Sequence, residues 1–179
     1  MKRIALLTVL ACFALASCGK KADGGAAANP TADSMKTAYM GIIKSFETGD
    51  VSELDKYVAA DTKSHMPMPG YPEGLEGMKK MITDFKVSMP DGKYTVEDMR
   101  VDGDILVARV RMSGTNSGQM MGMPPTNKKI ENIMSIDWVR WENGKFVEHW
   151  GVGEEMKMME QLGLMPPHTP PADTTKQPL

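Results

Sequence analysis

The dipeptide Asn143-Gly144, set between two alternating runs, constrains this chain more than any other feature. Asn and Gly both tolerate positive φ, as a two-residue hairpin turn requires. Residues 129–141 and 145–151 are therefore expected to pair as antiparallel strands. A flush turn places Trp141 opposite Phe146, Val139 opposite Glu148 and Asp137 opposite Trp150. These six would share one side of the sheet, with Ile136, Trp138, Arg140, Val147, His149 and Gly151 on the other.

The first set mixes three large aromatics with two carboxylates, Glu148 and Asp137. A pocket wall accommodates such a mixture better than a dry core does, because an unpaired buried carboxylate is costly. A carboxyl there would be desolvated and its pKa raised toward values useful in acid/base catalysis. The alternative is pairing with an arginine such as Arg100, Arg109 or Arg111. After Gly151 and Gly153 a short helix is expected, packing Met156, Met159 and Leu162 and stopping at Gly163. Glu154 and Glu155 open it, where the helix dipole favours acidic side chains.

Upstream, Met35, Tyr39, Ile42, Ile43 and Phe46 recur on one face of an amphipathic helix that Thr31 or Asp33 can cap. Gly49-Asp50 ends it, and a shorter helix with Val51, Leu54, Tyr57 and Val58 inward follows. Residues 62–72 contain three prolines and a glycine, which exclude a helix. A third helix is expected over 72–89, with Leu75, Met78, Ile82, Phe85 and Met89 on one face. The period then changes to two, predicting strands over 94–101 and 105–115 joined at Asp102-Gly103. Helices followed by hairpin-linked strands make an α+β domain without repeats, spanning 32–166.

The ends carry a different message. Lys2 and Arg3 precede a 13-residue apolar run over 4–16, too short to span a bilayer but suited to a signal peptide, 1–17. Leu15-Ala16-Ser17-Cys18 resembles the lipobox of bacterial lipoproteins, which implies cleavage before Cys18 and a lipid on its thiol. An ordinary signal peptide, leaving Cys18 free, is the alternative. The other cysteine, Cys12, falls within the signal, so the exported chain would lack an intrachain disulfide. Residues 18–31 read as a tether reaching roughly 20 Å as a coil, and 167–179 as a disordered Pro/Thr-rich tail.

Without the signal the chain has 19 basic and 23 acidic residues, a net charge of −4. No basic stripe is present, which argues against a nucleic-acid partner. Membrane contact is expected through the lipid on Cys18, on the periplasmic or cell-surface side. The histidines, His65, His149 and His168, lack metal-ligand spacing. The 18 methionines admit Cu(I) binding as well as plain apolar packing.

Three passages resemble a known family: Gly114-Thr115-Asn116-Ser117-Gly118 through Gly122-Met123-Pro124-Pro125-Thr126, then residues 142–145, then Glu148-His149-Trp150 through Gln161-Leu162-Gly163. Their order and spacing are similar to the SnoaL-like polyketide cyclases, or ester cyclases, of the nuclear transport factor 2-like superfamily. The resemblance implies a cone-shaped α+β barrel, a curved antiparallel sheet packed against helices around one pocket. It also implies ring closure by intramolecular aldol condensation with no metal or organic cofactor. The family's catalytic aspartate, four residues after the tryptophan, corresponds to Glu154. Trp150 is retained, Asn116 stands where the family has histidine, and His65 matches an earlier family histidine.

The expectation is a tethered acid/base enzyme acting on a small hydrophobic molecule. Glu154 would be catalytic, with Trp150, Glu148, Asn116, His65 and Asp137 around the pocket. The alternatives are a non-catalytic ligand-binding or accessory lipoprotein on the same fold and, third, a Cu(I)-binding protein. A homodimer is compatible with each.

Overall fold

In the computed structural model, residues 31–120 and 122–166 are described. The signal peptide, Cys18, the tether up to residue 30 and the tail from 167 lie outside them. Helix α1, Ala32–Thr48, begins where the Thr31 side chain accepts the Ser34 N–H at 3.2 Å. That bond satisfies one of the free donors at a helix start. Gly49, at φ 77°, closes the helix in the left-handed conformation that glycine adopts without steric cost. Met35, Ala38, Tyr39, Ile42 and Ile43 form its buried stripe, as the spacing predicts.

The expected second helix is reduced to one turn, α2, Leu54–Tyr57. The chain then becomes a strand, β1, Val58–Ser64, which the sequence reading missed. Only Val58 and Thr62 of β1 are buried, and a bulge separates them, so no period-two pattern is written into the residues. Helix α3 spans Gly74–Ser88. Strands β2, Lys93–Asp102, and β3, Ile105–Thr115, follow within a residue of their expected limits. Strand β4 is Lys129–Glu142, β5 is Lys145–Gly153, and helix α4 is Glu155–Leu162.

The strands form one sheet in the order β1-β5-β4-β3-β2. All neighbours are antiparallel except β1, which runs parallel to β5 at the edge. The fold class is α+β as expected, but the sheet is mixed and has a fifth strand. Helices cover one face, and the core lies between them and the buried residues Leu106, Ala108, Val110, Val139, Trp141 and Phe146. A second cluster, Met89, Met120, Ile130, Ile133 and Leu162, sits under α4. Met158 packs on that cluster, whereas Met156 is exposed, contrary to the expected inward placement.

The decisive correction concerns the β4–β5 register. Asn143 and Gly144 take φ 51° and 78°, and the first pairs, Glu142 with Lys145 and Trp141 with Phe146, are flush. A bulge then intervenes, and Arg140 faces Glu148, Val139 faces His149, Trp138 faces Trp150 and Asp137 faces Gly151. Val147 is the extra residue. Because side chains alternate, this one-residue shift exchanges the faces of everything beyond it. His149 joins Asp137 and Val139 under the helices. Trp150 and Glu148 go to the open face, beside Trp138, which is 51% exposed.

Candidate active site

A cavity of about 290 Å³ opens between α1, α3, β1 and the helix-covered face of the sheet. Its walls are mostly apolar. Ile42, Ile43 and Phe46 come from α1, Met78 and Met81 from α3, Met66 and Met68 from the segment after β1, and Val139 and Phe146 from the sheet. These methionines are wall residues, filling an irregular surface as thioethers do.

Into this cavity three strands and a helix deliver a chain of polar groups. Tyr39 Oη donates to Asp137 Oδ2 at 2.5 Å. The other carboxylate oxygen, Asp137 Oδ1, is 3.2 Å from His149 Nε2. His149 Nδ1 in turn lies 3.5 Å from Ser64 Oγ on β1. Ser64 and His149 are register partners across the parallel β1–β5 pair, so the sheet itself aligns them. Tyr39 is 3% exposed. Burial, and then the negative charge of Asp137, push its phenol pKa far up, so it remains a donor.

Gly151, opposite Asp137, gives this cluster its room. A Cβ there would stand 3.2 Å from His149 Nε2, Met66 Sδ and the Ile136 carbonyl oxygen. Such contacts are tighter than most packed side chains make, so the neighbours would have to give by a few tenths of an ångström.

The other expected site residues are placed elsewhere. Trp150, Glu148 and His65 do come together, but on the open face. The His65 and Trp150 rings stack at 4.3 Å with planes 2° apart. His65 Nε2 is 3.9 Å from Glu148 Oε1, and Arg140 Nε donates to Glu148 Oε2 at 2.7 Å. That arginine bond holds the Glu148 carboxyl below the usual range. Glu148 is thus an ion-pair partner, though of Arg140 rather than Arg100, Arg109 or Arg111.

Asn116 is buried and hydrogen-bonded outside the cavity lining. Its Nδ2 donates to the Gly118 carbonyl at 2.9 Å, and its Oδ1 accepts the Thr126 N–H at 2.9 Å and the Thr126 hydroxyl at 3.1 Å. It ties together the long connection between β3 and β4.

Glu154 also lies outside the cavity lining. Its Oε2 accepts the Met134 N–H and the Lys157 ammonium, each at 2.9 Å, while its own N–H donates to the Met134 carbonyl. These bonds, that from Lys157 foremost, hold its carboxyl low. Glu154 docks α4 onto β4. Glu155, expected to serve only the helix dipole, lines the cavity.

Asp137 is therefore the one expected site residue in the cavity, and it pairs with tyrosine and histidine rather than arginine. Sequence reading placed Tyr39 in the core and His149 on the opposite face. A tyrosine in an otherwise apolar helical stripe was the available signal, since its hydroxyl must find a partner. Among the described residues, no group of three or more His, Cys, Asp or Glu side chains could hold a metal ion.

The family model for SnoaL-like polyketide cyclases matches residues 36–162. The chain belongs to this family. Solved SnoaL-like structures share the nuclear transport factor 2-like fold. TsrD from Streptomyces laurentii is 26% identical, with a TM-score of 0.70, covering 76% of this chain and 99% of its own. IdmH from Streptomyces antibioticus, a candidate polyketide cyclase, is 30% identical with a TM-score of 0.61, covering 72% of this chain and 98% of its own. AclR from Streptomyces galilaeus, a candidate hydroxylase, shares the fold at 21% identity and a TM-score of 0.64, covering 78% and 87%. A search of curated proteins gives no match. A SnoaL-like domain therefore provides the scaffold, and the chemistry must be argued from its cavity.

Proposed function

We propose that this SnoaL-like protein is an acid/base enzyme that closes a ring in a small hydrophobic carbonyl compound, without a metal. We assign the proton transfers to the Asp137–His149 pair rather than to Glu154. The observation that carries this reading is the Tyr39–Asp137–His149 chain inside an apolar cavity. With Nε2–H donated to Asp137, His149 Nδ1 keeps a lone pair and acts as the base.

In this scheme His149 removes a proton from the carbon next to a carbonyl. The resulting enolate attacks a second carbonyl of the same molecule, forming a carbon–carbon bond and an alkoxide. The imidazolium returns the proton to that alkoxide, so nothing is consumed. Asp137 holds the ring in the required tautomer and stabilises the imidazolium, and Tyr39 holds Asp137. The apolar walls keep water from the enolate and strengthen these interactions.

The first half-reaction can be measured without the natural substrate, using deuterium exchange at the α-carbons of 2-tetralone, followed by NMR in D2O. The expected result is catalysed exchange that falls by about 10²-fold or more in His149→Gln and Asp137→Asn and persists in Glu154→Gln. Loss in Glu154→Gln with retention in His149→Gln would overturn the assignment. Binding of 2-tetralone without exchange in any variant would favour the non-catalytic ligand-binding reading.

The same proposal makes the protein an exported lipoprotein, anchored through Cys18 and facing the periplasm or cell surface. Incorporation of labelled palmitate, lost in Cys18→Ser, is the expected outcome. None of the described helices is long and apolar enough to cross a membrane.

A further inference from the structure

One cavity residue is left incomplete by the protein itself. Thr62, on β1, is 6% exposed and lines the cavity, yet its Oγ1 has no hydrogen-bond partner in the structure. Buried hydroxyls are nearly always paired, so an orphan beside a cavity points to something that completes it. The neighbouring polar groups differ in this respect. Ser64 Oγ, two residues on, accepts the Met66 N–H, and Tyr39 is spent on Asp137. The other orphan among the described residues, Trp141 Nε1, does not line the cavity.

Thr62 stands near the proposed base, next to the regular part of the β1–β5 pairing. Ser64 is the register partner of His149, and Thr62 is two residues back along the same strand. The strand rise puts Thr62 roughly 7 Å along β1 from that pair. Its Oγ1 has almost no accessible surface of its own, so it meets a bound molecule through rotation about the Cα–Cβ bond.

We infer that Thr62 is the specificity-determining residue of the cavity. Its hydroxyl bonds a second oxygen of the substrate, remote from the carbonyl that reacts at His149. This inference rests on the reading of the cavity as a substrate site, and it narrows the substrate class. The molecule is a hydrophobic ketone bearing a further hydroxyl or carbonyl on the far side of its skeleton. A site that bonds such an oxygen rejects the analogue lacking it, because the protein's own polar group is then left unpaired.

The test is isothermal titration calorimetry on the whole chain in detergent. The probes are 2-tetralone, 6-hydroxy-2-tetralone and 7-hydroxy-2-tetralone, whose added hydroxyls lie across the ring system from the ketone. The wild type is expected to bind at least one hydroxylated probe about tenfold more tightly than 2-tetralone. Thr62→Val, which keeps the side-chain shape, is expected to bring that probe and 2-tetralone within about twofold. Thr62→Ser is expected to keep the preference. Thr62→Val should melt no lower than wild type, because it removes an unpaired hydroxyl. A preference that survives in Thr62→Val overturns the inference. So does a wild type that binds neither hydroxylated probe better than 2-tetralone. Binding is read apart from turnover, so wild-type α-proton exchange on the same sample shows whether the catalytic reading fails with it.

Discussion

Tyr39 on α1 and Asp137 on β4, 98 residues apart in sequence, are joined by a 2.5 Å hydrogen bond across the top of the core. The bond ties the helix that roofs the cavity to the carboxylate at its polar end. Tyr39→Phe removes the donor and leaves an Asp137 oxygen without it. The expected loss of stability is about 1.5–3 kcal/mol, as for a hydrogen bond to a charged acceptor, measured by urea denaturation. The α-proton exchange should fall as well, because Asp137 would hold His149 less firmly.

Gly151 sits opposite Asp137, where a Cβ would press on His149 Nε2, Met66 Sδ and the Ile136 carbonyl. Gly151→Ala is expected to press the imidazole aside by a few tenths of an ångström, at a cost of up to about 1–3 kcal/mol. Exchange activity should drop more than ligand affinity. Equal losses in both would show that the added methyl blocks the cavity rather than moving the base.

Asn116 makes three side-chain hydrogen bonds to Gly118 and Thr126. Asn116→Ala leaves a partly buried carbonyl and a partly buried N–H without their partner, and is expected to destabilise the fold by about 1–3 kcal/mol. The fraction that remains folded should exchange α-protons at the wild-type rate. A selective loss of activity at unchanged stability would return Asn116 to the catalytic site.

Glu154, Glu148 and Glu97 are held below the usual carboxylate range, chiefly by Lys157, Arg140 and Arg111 respectively. Asp91 is held low by the Thr115 N–H and hydroxyl. Each binds its proton more readily in the unfolded chain than in the folded one. Their stabilisation is therefore complete above the unfolded carboxylate pKa of about 4 and is lost as the pH falls through the lowered folded values. Melting temperature should be level above about pH 5 and decline below pH 4. The decline should be shallower in Glu154→Gln, and a scan level down to pH 3 would refute this account.

The helical stripe from Met35 to Phe46, the Asn143-Gly144 turn and the strands around it were legible because local periodicity and turn chemistry dictate them. Strand β1 was not, because it is an edge strand with two buried residues and an interrupting bulge. Its partner β5 lies far downstream, Ser64 pairing with His149 85 residues later. Parallel pairing of that kind leaves no turn signal in the sequence.

The site was half legible for a related reason. Asp137 was singled out because a carboxylate among aromatics needs a partner, and the structure supplies Tyr39 and His149. Glu148 and Trp150 were assigned to the wrong face because one extra residue, Val147, enters β5 just past the hairpin. The sequence by itself determined the α+β class, the family and the hairpin, all of which follow from local pattern. Only the tertiary structure decided which of His149 and Trp150 enters the cavity. With a side-chain period of two, a single bulge reverses the answer, and its presence depends on how the whole sheet packs against the helices.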